Sequence, residues 1–407
     1  MGHRRMALRA MLANAAAHQL CNGGTSDSTF MLAQRKAIKA QRLSLEELAT
    51  YDAHLPNRGE QGKDHNLPSA LDDDAIVASL FLLGPEIIHP TDEISFSKTQ
   101  SLLKGACFLV SKRHEYFTCK CSLDHPARLD PCYKLESPLF QHAVRTLAYT
   151  DIMCCVPCAK APILDKSYWL DEAIKATRRG AEVLRPDIDL GYCAHMFSIL
   201  GYCTSAIDQL YRKDVSAFEF NEIQETLSFQ LDQAVRSIPD YSNVLTTVPS
   251  TFARESAYET ERLFAHDGCV TAAICHGLAN RIFLLRATNH EWQAPEIYAL
   301  CCQLSTYVSR IPVDSAVVAI MLWPIWVLGC ESYTTTPDLP RERVATLLEV
   351  IYEHQRMKNV LLCLGALKQK IWSLASPDVR CASGLGTALQ SSWVQYCWQN
   401  GIRLLLA

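Results

Sequence analysis

Five side chains of the metal-binding type crowd one short stretch: His114, Cys119, Cys121, His125 and Cys132. Imidazoles and thiolates gathered in a loop are the soft ligand set that holds zinc. Cysteines separated by a single residue are closer than zinc spacing normally allows, and no second paired knuckle follows. No metal ligand is assigned. Cys155 and Cys158, in CCVPC, have the separation of a redox dithiol. They lack the strand and helix of a thioredoxin-like site, so they are read as ordinary thiols, buried or exposed.

Carboxylates give two further candidates. In LDDDA, Asp72, Asp73 and Asp74 are adjacent and would fan around a helix. The magnesium motif of all-α terpene cyclases needs acids a turn apart on one face, so this run is read as a helix start, where acids suit the positive end of the helix. Asp151, in LFQHAVRTLAYTDIM, follows Val144 by seven residues and Leu147 by four. That places it on an apolar stripe, where a carboxylate must be paired or hydrogen-bonded, and the expected partner is an arginine or a helix end. The basic run Arg35–Arg42 is read as one solvated helix face, not a phosphate-contacting patch. There is no G-x-S-x-G, no P-loop, no dinucleotide-binding glycine fingerprint and no H-E-x-x-H. No catalytic, cofactor-binding, metal-binding or DNA-binding residue is therefore assigned, no cofactor is expected, and the chain is read as a non-enzyme.

The elements that would position any site are helical throughout. Met196, Leu200, Cys203, Ile207 and Leu210 recur at steps of three and four. Ile223, Leu227, Leu231, Val235 and Ile238 repeat the pattern. So do Val270, Ile274, Leu278, Ile282 and Leu285, then Ile297, Leu300, Leu304 and Val308. Such steps put one apolar stripe on each helix, while the period-two alternation of strands is almost absent. The expected fold is all-α, a single large domain of antiparallel packed helices over 1–407. Mobile loops are expected near 54–74, 113–137 and 376–392, with shorter breaks at 239–250 and 334–340.

Composition bounds the setting. The 407 residues carry a formal net charge of −4, with 20% charged and 49% hydrophobic residues, which is no basic surplus for nucleic acid. Eighteen cysteines without a secretory signal point to free thiols in a reducing compartment. Residues 1–20 are basic and acid-free, and are read as a first helix in preference to a mitochondrial presequence. SAVVAIMLWPIWVLGC, Ser315–Cys330, has sixteen uncharged residues, short of the about twenty that a bilayer span needs. It is read as interior core, broken near Trp323 and Pro324, and no membrane is expected.

The order of segments resembles the fungal-specific transcription factor domain, the helical regulatory region that follows a binuclear zinc cluster in many fungal activators. RRMALRAMLANAAAHQL is similar to the opening helix. Leu103, Lys104, Gly105 and Ala106 match a basic-Gly-Ala element, and Tyr149 with Asp151 an aromatic residue before an aspartate. Asp187 and Gly191, followed by Met196 and Phe197, resemble a D-x-x-x-G helix entry. Trp323, Pro324, Gly329, Cys330 and Glu331 match a WP-hydrophobic-GCE segment, and SWVQYCWQNGIRLLLA resembles the closing W…G…LL terminus. Together these matches run from about residue 5 to 407.

The resemblance implies a nuclear transcriptional regulator of a fungal metabolic or secondary-metabolite gene set. It implies contacts with the transcriptional machinery or a DNA-binding partner protein, a small-molecule effector, and homo- or heterodimers. Family members normally begin with six cysteines that bind two zinc ions, whereas only Cys21 lies in the first hundred residues here. Direct DNA binding is therefore carried over to no residue, and the expectation is either a regulator without its own DNA-binding module or an upstream exon. An all-α enzyme of the terpene-cyclase kind and a non-catalytic helical interaction scaffold are the alternative readings.

Overall fold

In the computed structural model the described residues are 73–88, 93–124, 138–165, 168, 190–238, 257–289, 294–313, 315–332, 341–374, 392–402, 404 and 406, with single positions 15, 32, 35, 38, 39, 42 and 46. The first-helix expectation for 1–20 and the loops at 54–72, 125–137, 239–250, 334–340 and 376–391 lie essentially outside them. The fold is all-α, and no strand occurs among the described residues. By Cα proximity the chain divides into two compact units, residues 1–151, 163–168 and 357–359 in one, the remainder in the other.

The first unit contains α1 (Asp73–Ile88), α2 (Glu93–Asp124) and most of α3 (Pro138–Cys155). Helices α1 and α2 pack together through Ile76, Leu82, Leu103, Ala106 and Val110, all buried. The acidic run does start a helix, at Asp73, whose carboxylate pairs with Arg113 at 2.6 Å. The Arg113 guanidinium also lies 4.1 Å from the Phe140 ring centre, a cation–π contact that helps an arginine stay buried. The loop expected from Arg113 onward is corrected here, because α2 continues to Asp124. Residues 113–124 hold no glycine or proline, and Pro126 is the first residue that a helix cannot absorb. Positions Arg35, Lys39 and Arg42 are helical and exposed, as a solvated face requires, with Arg42 paired to Glu46 at 2.8 Å.

The second unit is organised around α6 (Ala257–Arg286), which packs against α4 (Cys193–Arg212), α5 (Ala217–Arg236), α7 (Pro295–Val308) and α8 (Leu322–Glu331). After α8 come α9 (Arg341–Gln355), α10 (Lys358–Ala366) and α11 (Trp393–Asn400). The stripe on α7 is buried as expected, and so is that on α4 except at its end, with Met196, Leu200, Cys203 and Ile207 completely buried and Leu210 part-exposed. On α6 the expected stripe is only partly right, since Ile274, Leu278 and Leu285 are half-exposed. Val270 and Ile282 of that stripe are buried, and Ala272, Ala273, Cys275, His276, Ala279, Asn280, Phe283 and Leu284 are as deep as Ile282. A helix enclosed by four others is buried on more than one face, so small, polar and large apolar residues outside the single expected stripe are buried as well. Gly268–Arg286 is long and apolar enough to cross a membrane by length and composition, and 72% of it is buried inside the unit, as in a core helix.

The uncharged run 315–330 resolves into two pieces. A 3₁₀ turn spans Ala316–Ile320, and α8 begins at Leu322 with Met321 as its N-cap. Pro324 therefore falls in the first turn of α8, where the missing N–H has no intrahelical partner to lose. The expected break is present, just ahead of the proline, and every residue of α8 is buried.

Candidate functional site

Each unit holds at least one buried carboxylate, and the donors around these acids define the most chemically distinctive part of the molecule. Asp151 is completely buried in α3 and accepts a hydrogen bond from the Leu164 N–H at 2.7 Å. The carboxylate is hydrogen-bonded, as its place on the stripe requires, and a loop amide is among its partners where an arginine or a helix end was expected.

Glu331, the last residue of α8, is 2% exposed at its side chain and faces Arg286, the last residue of α6, 4% exposed. The pair is bidentate: Arg286 Nε donates to Oε1 and Nη2 to Oε2, both at 2.8 Å. The indole Nε1 of Trp393, at the start of α11, also donates to Glu331 Oε1 at 2.6 Å. A buried ion pair persists only when its remaining lone pairs are satisfied, and the indole supplies such a donor. Trp393 stacks on Phe283, whose ring meets Trp323 edge to face at 5.2 Å between centres. Trp323 in turn donates its Nε1–H to Asn280 Oδ1 at 2.9 Å, and Asn280 donates to the Met196 carbonyl at 2.8 Å. One chain of polar and aromatic contacts thus ties α4, α6, α8 and α11 together. Its members on α6, Asn280, Phe283 and Arg286, are three residues apart and so share a face.

A second acid, Asp208 on α4, holds the other end of α11. Its side chain is 2% exposed and accepts from Arg212 at 2.7 Å, from Trp398 Nε1 at 2.8 Å and from the Ala161 N–H at 3.2 Å. Lys160 lies 3.7 Å from the Trp398 ring centre and 3.6 Å from the same carboxylate. Helix α11 is therefore pinned by two indoles to two carboxylates, Trp393 to Glu331 and Trp398 to Asp208.

What these groups can do is hold helices. Each carboxylate is engaged by cationic and indole donors, so neither is poised as a general base. The nearby thiols are equally inert: burial pushes Cys158 up to about 11 and Cys203 to about 12, away from the thiolate needed for nucleophilic or redox work. Cys158 donates to the Cys155 carbonyl at 3.1 Å; Cys155 ends α3, Cys158 ends the 3₁₀ turn that follows, and both are buried free thiols. His276 is also buried, with Nε2 2.8 Å from the Ile320 carbonyl, and burial pulls its imidazole down to about 4. Among the described residues no group of three or more His, Cys, Asp or Glu is arranged to hold a metal. The side chains of His114, Cys119, Cys121, His125 and Cys132 lie outside those residues.

The remaining motif positions behave as packing devices. Leu103 and Ala106 are buried while Lys104 is exposed. Gly191 takes φ +55° in the turn that opens α4, a backbone conformation that suits glycine. Gly329 is a close-approach glycine, since a Cβ there would lie 2.6 Å from Leu367 Cδ1. Its carbonyl accepts from Trp372 Nε1 at 2.9 Å. Gly401 closes α11 at φ +57°. Asp187 lies outside the described residues.

A family model, the fungal specific transcription factor domain, matches residues 3–407. The chain belongs to that family. No curated protein and no solved structure matches it. For this fungal transcription factor domain the WP-hydrophobic-GCE segment has a direct physical account. Trp323 engages Asn280, Pro324 starts α8, Gly329 admits Leu367, and Glu331 closes the network on Arg286 and Trp393. The general role that follows from membership is that of a transcriptional regulator, in a family whose domain is regulatory and not typically enzymatic.

Asp208, Arg286 and Asn280 were not legible as site residues in the sequence. Their only signal is a polar residue at a buried helical register, the signal that did identify Asp151.

Proposed function

We propose that the protein is a nuclear regulator of a fungal metabolic or secondary-metabolite gene set, with residues 1–407 acting as one regulatory domain. It works through contacts with the transcriptional machinery or a DNA-binding partner protein, with a small-molecule effector as a further input. The observation that carries this reading is the family match over 3–407, joined to a core in which Trp323, Pro324, Gly329, Cys330 and Glu331 of the family-like segment are buried. The formal net charge of −4 agrees with a chain that reaches promoters through another protein, because phosphate contact draws on a surplus of lysine and arginine.

Deletion of the gene in the source fungus, followed by transcript profiling, tests the reading. A coordinated change in a co-located metabolic gene set is expected. Unchanged transcripts under conditions where the protein is expressed would overturn it. With purified protein, gel shifts on the affected promoters should show no tight, sequence-selective complex until a partner protein is added.

A further inference from the structure

The inner face of α5 is buried through Phe220, Leu227, Leu231 and Ala234. Its outer face carries an unusual sequence: Glu222, Glu225, Phe229, Gln233 and Arg236, all exposed, with Phe229 62% exposed. At about 100° per residue these five positions fall within about 40° on either side of Phe229, so they form one stripe. Phe218, 72% exposed, continues the stripe beyond Glu222.

The stripe is complementary to itself when reversed. Glu222 lies seven residues before Phe229 and Arg236 seven after; Glu225 lies four before and Gln233 four after. With a rise of about 1.5 Å per residue, the acid and the base stand about 10.5 Å on either side of the ring. Laid antiparallel against a second α5, Phe229 meets Phe229, each Glu222 meets Arg236, and each Glu225 meets Gln233. An isologous contact requires just this arrangement, in which residue i meets j and j meets i about a two-fold axis. Among the described residues neither Glu222 nor Arg236 has an ion-pair partner within its own chain. Two exposed phenylalanines on one helix stripe mark a face suited to a partner.

We propose that the protein self-associates as a two-fold dimer through the outer face of α5, with Phe229 on the axis and Glu222–Arg236 ion pairs on either side. The contact is one helix pair wide, smaller than the about 800 Å² per partner of standard stable interfaces, so the dimer is concentration-dependent and weakened by salt. This inference does not depend on the transcriptional reading.

Sedimentation equilibrium of the full chain from 1 to roughly 100 μM, the range where weak dimers dissociate, should show a monomer–dimer equilibrium. Glu222→Arg and Arg236→Glu should each shift it toward monomer, and the double reversal should restore it. Phe229→Cys, placed on the axis, should link two chains by a disulfide under mild oxidation with copper phenanthroline. Glu222→Cys should not link to its own copy, because the two positions are about 21 Å apart along the axis and disulfides need Cα atoms within about 7 Å. Oxidation of the unmodified chain controls for its native thiols. A monomer across the concentration range, no linkage in folded Phe229→Cys, or a double reversal that fails to restore association would each overturn the proposal.

Discussion

Replacing Glu331 by alanine should do more damage than its single carboxylate suggests. The side chains of Glu331 and Arg286 are 2% and 4% exposed and share two hydrogen bonds of 2.8 Å. Removing the acid leaves the guanidinium buried without its counter-charge and leaves the Trp393 indole N–H without its acceptor. Breaking a buried pair from one side costs about 3–5 kcal/mol. The lost indole bond adds about 1 kcal/mol. Against a typical stability of about 5–15 kcal/mol, the variant should sit near the edge of folding. Glu331→Gln keeps the shape and an acceptor, so its loss should be smaller. Removing both charges together, Arg286→Met with Glu331→Leu, should recover much of the loss, because neither ion is then left unpaired. Urea denaturation, followed by circular dichroism, of the unmodified chain, Arg286→Met, Glu331→Leu and the double variant forms a double-mutant cycle, with Glu331→Ala and Glu331→Gln measured beside it. A Glu331→Ala chain that unfolds at the same urea concentration as the unmodified protein would refute the network as a stabilising element.

Trp326, fully buried in α8, should cost about 3–5 kcal/mol when replaced by alanine, read as a fall in soluble yield and melting temperature; unchanged melting would remove it from the core. Gly329→Ala places a Cβ 2.6 Å from Leu367 Cδ1 and 3.3 Å from Val344 Cγ1, and overpacking of this kind costs about 1–3 kcal/mol, so the same melting experiment should show a loss. Burial lowers His276 from 6.5 to about 4, so the unfolded chain takes up a proton that the folded chain refuses. That contribution is complete above the unfolded value and is lost as pH falls toward 4, by up to about 1.4 kcal/mol per pH unit. Denaturation at stepped pH should show His276→Gln with a shallower decline than the unmodified protein between about pH 6.5 and 4; parallel curves would contradict the assignment.

Local elements were largely legible in the sequence because helix periodicity and breakers act over a few residues. The stripes of α4 and α7, the helix start at Asp73, the interruption ahead of Pro324 and the buried Asp151 all follow from spacing alone. The course of α2 past Arg113 was not legible, because a polar, cysteine-rich composition points to a loop while only the absence of glycine and proline points to a helix. The polar network was hidden for a different reason. Arg286 and Glu331 are 45 residues apart and Asp208 and Trp398 are 190 apart, and no local pattern says which buried charge will meet which. On α6 the single stripe was too narrow a reading, since a helix surrounded on four sides also buries alanines and polar anchors that lie off that stripe.

The central claim is that this all-α chain regulates transcription through other proteins. Fusing residues 1–407 to a heterologous sequence-specific DNA-binding domain, and measuring a reporter driven by that domain's sites in fungal cells, tests it most directly. The account predicts a clear change in reporter output relative to the DNA-binding domain alone, abolished by Glu331→Ala and retained by Glu331→Gln. A folded, nuclear, promoter-bound fusion that leaves the reporter at the level of the DNA-binding domain alone would contradict it.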